Sequence, residues 1–205
     1  MTITNLYTGG WASNCYYLVD KTGTYALVVD PSVSPSRLSS LFPEQVPQLV
    51  GIILTHAHYD HMLCLLEWTK GGDIPVYVGE GDVQGLSSPV YNVSGTVFGT
   101  PTVYSVNAYP VKDGDVIPLG EEQLRVIATP GHTKGGISLL GDGFVLTGDT
   151  LFAQGGVGRC DLPGSSFMDL QTSVRRLLDL PPHIQILPGH GATSTIGRER
   201  KAQYI

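Results

Sequence analysis

Four apolar runs in this chain each lead straight into a turn that carries a histidine or an aspartate, and this repetition limits the possible folds more than any other feature. The stretch "GIILTHAHYDH" delivers His56, His58, Asp60 and His61. "RVIATPGHT" delivers His132, "FVLTGDT" delivers Asp149 and "IQILPGHG" delivers His190. Short continuous apolar runs bounded by turn residues read as strands buried on both faces. In open sheets the side chains just beyond strand ends converge, and the strands hold them rigidly. Gly131, Gly148, Gly189 and Gly191 lie beside these positions and let the backbone turn tightly there. The chain is therefore expected to bring several strand ends to one edge.

Taken singly, a histidine after a strand is most often a surface or hydrogen-bonded residue, and Gly-Asp is commonly a plain turn. The cluster His-x-His-x-Asp-His is far more specific, because it sets two histidines at alternate positions with two more donors next to them. Five of the six histidines fall in the pattern. His183, in "PPHIQ" before a strand, is read as structural or exposed. A closed structural zinc site takes four donors, whereas this set suits two ions with a coordination position left for water. The natural division puts His56, His58 and His132 on one ion and Asp60, His61 and His190 on the other, with the two oxygens of Asp149 bridging them. A hydroxide held between such ions is a nucleophile at neutral pH, and the same ions polarise a carbonyl. Asp60 is placed to orient that hydroxide as well as to ligate. Imidazole and carboxylate donors fit two divalent ions, Zn first, with Fe or Mn also accommodated.

Composition narrows the context. A chain of 205 residues that is 41% hydrophobic buries a sizeable core as one ordinary domain. The net charge of -6 comes without a basic run, which argues against nucleic acid or an anionic membrane as partner. Cys15, Cys64 and Cys160 form no CxxC pair, so neither a disulfide framework nor a thiolate zinc site is expected, and a cytoplasmic location fits. The N-terminus does not read as a signal peptide.

Along the chain, "TITNLY", "NCYYLV" and "YALVVD" read as a β-meander, and 34–42 as a short helix opened by a serine cap and a proline. "LVGIIL" and "IPVYVG" are strands flanking a helical spacing of Met62, Leu65, Leu66 and Trp68. "DVIPLG", "EQLRVIATP", "GISLLG" and "GFVLTGD" form a second strand series. "SFMDLQTSVRRLLDL" is an amphipathic helix with Phe167, Leu170, Val174, Leu177 and Leu178 on one side. Two strand blocks with accompanying helices suggest two packed sheets with helices outside. Segment 85–112, rich in Gly, Ser, Pro, Tyr and Val, reads either as a long surface loop suited to enclosing a substrate or as a pair of strands. Its Tyr91, Asn92, Phe98 and Tyr104 are the candidates for enclosing a substrate, with Tyr91 and Asn92 as candidate contacts.

The order HxHxDH, GH, GD, GH resembles the metallo-β-lactamase superfamily across nearly the whole chain. "ATPGHTKGGISL", "LTGDTLF", "GGVGRCDLPG" and "LPGHG" are most similar to its short bacterial hydroxyacylglutathione hydrolase (glyoxalase II)-like members. The resemblance implies one domain over 1–205 with a four-layer αββα sandwich of two mixed sheets. It also implies a dinuclear site at one edge and hydrolysis of a small-molecule thioester, possibly glutathione-linked. Mononuclear-iron persulfide dioxygenases share the pattern and the "GxGRxD" segment, so that oxidoreductase reading stays open, as does hydrolysis of another ester such as a lactone. β-Lactamases, flavodiiron reductases and RNA-processing members fit the pattern less well. The helical extension that supplies basic contacts to glutathione in full-length members of that branch is not expected here, and the tail with Arg198, Arg200 and Lys201 reads as solvated. Arg159 either clamps a substrate carboxylate or pairs with Asp161 in its own turn. Oligomeric state is not legible.

Overall fold

The structure, a computed structural model, describes residues 1–7, 9–70 and 73–202. Among these, twelve strands form two six-stranded sheets. The first sheet holds β1 (Thr2–Asn5), β2 (Tyr16–Val19), β3 (Tyr25–Val29), β4 (Gln48–Leu54), β5 (Val76–Gly79) and β6 (Ala108–Val111), in that spatial order. Its first three strands pair antiparallel and the rest parallel. The second sheet runs β12-β11-β10-β9-β8-β7, with β7 (Val116–Leu119), β8 (Glu122–Ala128), β9 (Ile137–Leu140), β10 (Phe144–Gly148), β11 (Gln185–Pro188) and β12 (Ser194–Thr195). Only β10 and β11 pair parallel there. The helices are α1 (Leu38–Leu41), α2 (Leu65–Trp68), α3 (Phe167–Leu178) and α4 (Ile196–Ala202).

Strand alternation builds the layers. In β2, "YYLV" is buried at every position because both faces of the strand are covered. Tyr16 and Leu18 join Leu27, Ile53, Leu124 and Leu146 between the sheets. Tyr17 and Val19 point the other way, into a core shared with Leu38, Leu65 and Trp68 of the first two helices. On the far side, Val145 and Ile186 pack against Leu170, Val174 and Leu177 of α3. Each such side chain contributes about 2 kcal/mol by burial. The result is the four-layer αββα sandwich that the sequence suggests.

This topology gathers the donors. β9 runs antiparallel to both β8 and β10, and β11 parallel to β10, so β8, β10 and β11 end on the same edge. Ile137 at the start of β9 donates to the carbonyl of Thr55, just past β4, at 2.8 Å, which seats the end of β4 against that edge.

Some expected elements differ. After His58 the chain makes a 3-10 turn over Tyr59–His61 and only then α2, so the donors are presented on a tight turn before the helix begins. Leu66 faces outward while Met62, Leu65 and Trp68 are buried. In α3, capped by the Ser166 side chain, Phe167 is 57% exposed and does not join the buried stripe, because it occupies the first helical position ahead of the packed turns. The 85–112 segment opens at the end of a 3-10 stretch (Glu80–Leu86), continues as turns and irregular chain, and ends in β6. It is mostly loop with one strand, so neither reading of it held whole. Among the described residues no helix is long and apolar enough to cross a membrane.

Candidate metal centre

His56, His58 and His132 are all buried, and one nitrogen of each lies within 4.8 Å of the others. Their rings meet nearly edge-on, with centroids 4.6–4.8 Å apart and interplanar angles of 81–86°. Three imidazoles so arranged aim lone pairs at one point from three directions. Asp60, His61 and His190 form a second set within the same limit, and His56, His61 and Asp149 an overlapping third. Asp149 joins the sets. Its Oδ2 lies 3.6 Å from Nε2 of both His132 and His190, and its Oδ1 lies 3.4 Å from Nε2 of His61. Asp60 Oδ2 is 3.1 Å from His190 Nε2.

The donor atoms themselves test the fit to metal. Nε2 of His56, His58, His61 and His132 and Oδ1 of Asp149 are buried and have no hydrogen-bond partner among the described residues. A buried polar atom left unpaired costs about 1–3 kcal/mol, and native chains rarely carry several side by side. Five that face one small volume fit cations that all of them ligate.

The opposite ring nitrogens are engaged. His132 Nδ1 lies 2.9 Å from the carbonyl oxygen of Arg159, an acceptor only, so Nδ1 carries the proton and Nε2 keeps its lone pair. His61 Nδ1 lies 2.9 Å from Asp30 Oδ2. Asp30 also accepts from the Thr55 backbone at 2.8 Å and its hydroxyl at 2.7 Å, and Thr55 Oγ1 in turn meets His56 Nδ1 at 3.2 Å. A second buried carboxylate, Asp82, accepts from Ala57 N, Thr133 Oγ1 and Gly135 N, so it ties the loop of His56 and His58 to the loop of His132. Asn14 fastens the last loop: its amide donates to the carbonyls of Pro188 and Gly191, and its backbone N–H to that of Gly189. Gly189 is obligatory, because a Cβ there would sit 2.2 Å from Asp149 Oδ1 and 2.8 Å from His61 Cε1.

Burial and neighbours set the charge. Burial first, and then the facing histidines, push His56 well down and His58 down to about 3, so both stay neutral ligands. Burial opposes charge on His61 too, but Asp30, Asp149 and Asp60 outweigh it and hold the imidazole well above its usual range. For Asp149, burial favours the neutral acid, yet His61, His132 and His190 keep the carboxyl below the ordinary range. Asp60 is lowered in the same way, burial being overcome by His61 and His190. For Asp82, burial prevails over its three hydrogen bonds and raises the carboxyl.

All seven donors read from the sequence are thus brought together. The candidate substrate contacts fare differently. Arg159 is bound by Asp161 through two contacts of 2.6 Å within its own turn, so its guanidinium is not a free clamp. Asn92 is fully buried; its side-chain amide donates to the carbonyls of Gly85 and Thr102 and accepts from Ser94 N, leaving nothing for a ligand. It acts as a clamp for the long loop. Tyr91 is exposed and borders a cavity of about 140 Å³ lined by Ala57, Asp82, Gln84, Thr133 and Lys134, next to the donor loops. The tail is more than solvated charge: Arg200 donates to the carbonyls of Leu178 and Leu180 at the end of α3, and buried Glu199 accepts from Ser194 Oγ, Gln154 N and Gly155 N. The loop it holds presents Phe152, whose ring meets that of His190 edge-on at 6.3 Å. Sequence reasoning missed Asp30, Asp82 and Glu199.

The profile of the metallo-beta-lactamase superfamily matches residues 8–190. A probable metallo-hydrolase of Streptococcus pyogenes is 38% identical over 197 residues, spanning 92% of this chain and 83% of that protein. The crystal structure of the BLEG-1 B3 metallo-beta-lactamase superposes with a TM-score of 0.89 at 28% identity, covering 98% of this chain and 97% of that one. TTHA1623, solved in a di-iron-bound form, superposes with a TM-score of 0.79 at 30% identity over 98% of both chains.

Proposed function

The chain belongs to the metallo-beta-lactamase superfamily, and from that premise we propose that this metal-dependent hydrolase is a thioesterase of the hydroxyacylglutathione hydrolase type. The observation that carries the two-metal form is the Asp149 carboxylate, which stands between two three-donor sets and touches histidines of both. His56, His58 and His132 would hold one ion, Asp60, His61 and His190 the other, and Asp149 both. Zn suits these donors, and the di-iron relative supports Fe as well.

When bound, the pair supplies a water that is deprotonated at neutral pH and a Lewis acid for the carbonyl. The chain's own residues do the rest. Asp60 is held ionised, so its free oxygen accepts a hydrogen bond from the attacking water and fixes its direction. Water adds to the thioester carbonyl carbon, the C–S bond breaks, and a carboxylic acid and a thiol result. A thiolate leaves with little help from a general acid, which suits a site whose carboxylates stay charged.

The test is metal analysis beside a substrate panel. Two ions per chain and turnover of acylglutathione or another thioester are expected, with Asp149→Ala cutting kcat at least a thousandfold. Protein carrying two ions that hydrolyses no thioester or lactone overturns the reading. One iron per chain with oxygen uptake on glutathione persulfide would instead support the dioxygenase. The likeness to BLEG-1 favours β-lactam hydrolysis as a second reading, so a cephalosporin belongs in the panel.

A further inference from the structure

Among the described residues Asp82 makes no hydrogen bond to a metal donor, yet it sits where two ligand loops meet. It lies in the 3-10 stretch Glu80–Leu86 that follows β5, and it is 6% exposed. Its Oδ1 accepts from Gly135 N at 2.7 Å, and its Oδ2 from Ala57 N at 3.2 Å and Thr133 Oγ1 at 2.7 Å. Ala57 stands between His56 and His58 in the chain, and Thr133 directly follows His132. The two loops leave strands of different sheets, β4 and β8. The bond from Ile137 N to the Thr55 carbonyl joins the sheets at the strand ends. Asp82 joins them beyond those ends, one residue away from His58 and from His132.

The backbone is shaped to keep this carboxyl in place. A Cβ at Gly135 would lie 2.2 Å from Asp82 N, and one at Gly85 would lie 2.6 Å from the Ala57 Cβ. Both loops therefore press on the 3-10 stretch with no room for a side chain between, and a shift of Asp82 moves them together. Each carboxyl oxygen receives one backbone N–H, so both must accept, and an amide in its place could supply only one acceptor. The second donor set is held from elsewhere. The Asp60 carbonyl accepts from Ser13 N, His61 Nδ1 meets Asp30, and Asn14 fastens the loop of His190.

We propose that Asp82 is a positioning residue for one ion alone: by setting the span between His58 and His132 it fixes the affinity of the three-histidine position, and it leaves the position of Asp60, His61 and His190 unaffected. This rests on the two-metal reading of the site. The His58 and His132 rings stand nearly edge-on with centroids 4.6 Å apart. A zinc–imidazole bond tolerates little departure from about 2.0–2.1 Å, so a small change in that span weakens the hold on the ion.

The test loads chelator-treated protein with cadmium and follows one cadmium NMR resonance per ion while EDTA is added. His58→Ala identifies the three-histidine ion, as the resonance it removes. Groups behind the ligands are worth about 10–100-fold in metal affinity, so Asp82→Asn should release that ion at least about tenfold more readily, with the other resonance unchanged within about twofold. Thr133→Val removes one contact and keeps the carboxyl, so it should act in the same direction. Thr133→Ser keeps the hydroxyl and should match the parent protein. Equal weakening of both ions in Asp82→Asn, or of neither, overturns the proposal. If Asp82→Asn does not fold, the Thr133 pair decides: Val and Ser variants that hold the three-histidine ion equally well overturn it. A parent protein with a single resonance, removed by His58→Ala and released early in Asp82→Asn, would keep Asp82 in its role and end the two-metal reading.

Discussion

At the scale of single residues, the partner behind a ligand decides how well it ligates. Asp30 reaches His61 across 31 positions of sequence and also receives both donors of Thr55. Replacing such an outer carboxylate typically weakens metal binding by 10–100-fold, and Asp30→Asn should do so here, measured by competition with a chromogenic chelator. His58 permits a test of protonation. Its folded value, about 3, lies below the ordinary 6.5, so the folded chain resists taking up this proton. The stability it contributes is complete above about pH 6.5 and is lost as pH falls toward about 3. Histidine NMR of chelator-treated protein should show the His58 ring unchanged between pH 7 and pH 5. A shift in that interval would disprove the assignment. The donors are legible in the sequence because histidine is scarce and each one follows an apolar run. Asp30 in "VVDPS" and Asp82 in "GEGDV" look like any acid in a turn, since only the tertiary fold brings them to His61 and to the His132 loop.

At the scale of elements, the strands that end in donors are read from the sequence almost to their boundaries, because an apolar run broken by glycine or proline leaves little choice. Weakly patterned elements are not. Strand β6 has exposed Tyr109 and Pro110 in the middle, and two-residue β12 carries no period at all. Helix α4 is short and charged, and its importance lies in Glu199. Removing that carboxylate leaves the buried Ser194 hydroxyl and the part-buried N–H groups of Gln154 and Gly155 without their acceptor. Glu199→Ala should cost about 3 kcal/mol, a fall of roughly 6–12 °C in melting temperature for a chain of this size, readable by calorimetry. Because the same loop presents Phe152 to His190, the metal bound by the second set should also weaken in this variant.

At the scale of the whole molecule, the donors come from both sheets: His56 to His61 follow β4, while His132, Asp149 and His190 follow strands of the other sheet. A ligand that binds only the folded form stabilises it by about 4 kcal/mol at a thousand times its dissociation constant. Loading with Zn should therefore raise the melting temperature by roughly 8–16 °C. It should do so in one transition, because neither sheet alone offers the full set. Two transitions, only one of them metal-dependent, would show that the sheets melt separately.

The spacing of those donors also sets an order of events in the cell. A ribosome releases His56 to His61 long before it reaches His190, the seventh donor along the chain. Nascent chain therefore exposes a sticky half-site, able to catch stray ions loosely, for most of its synthesis. Firm capture waits until β11 has been made and has docked beside β10. The complete donor set thus exists only once β11 is docked beside β10, so full metal affinity is a property of the folded chain.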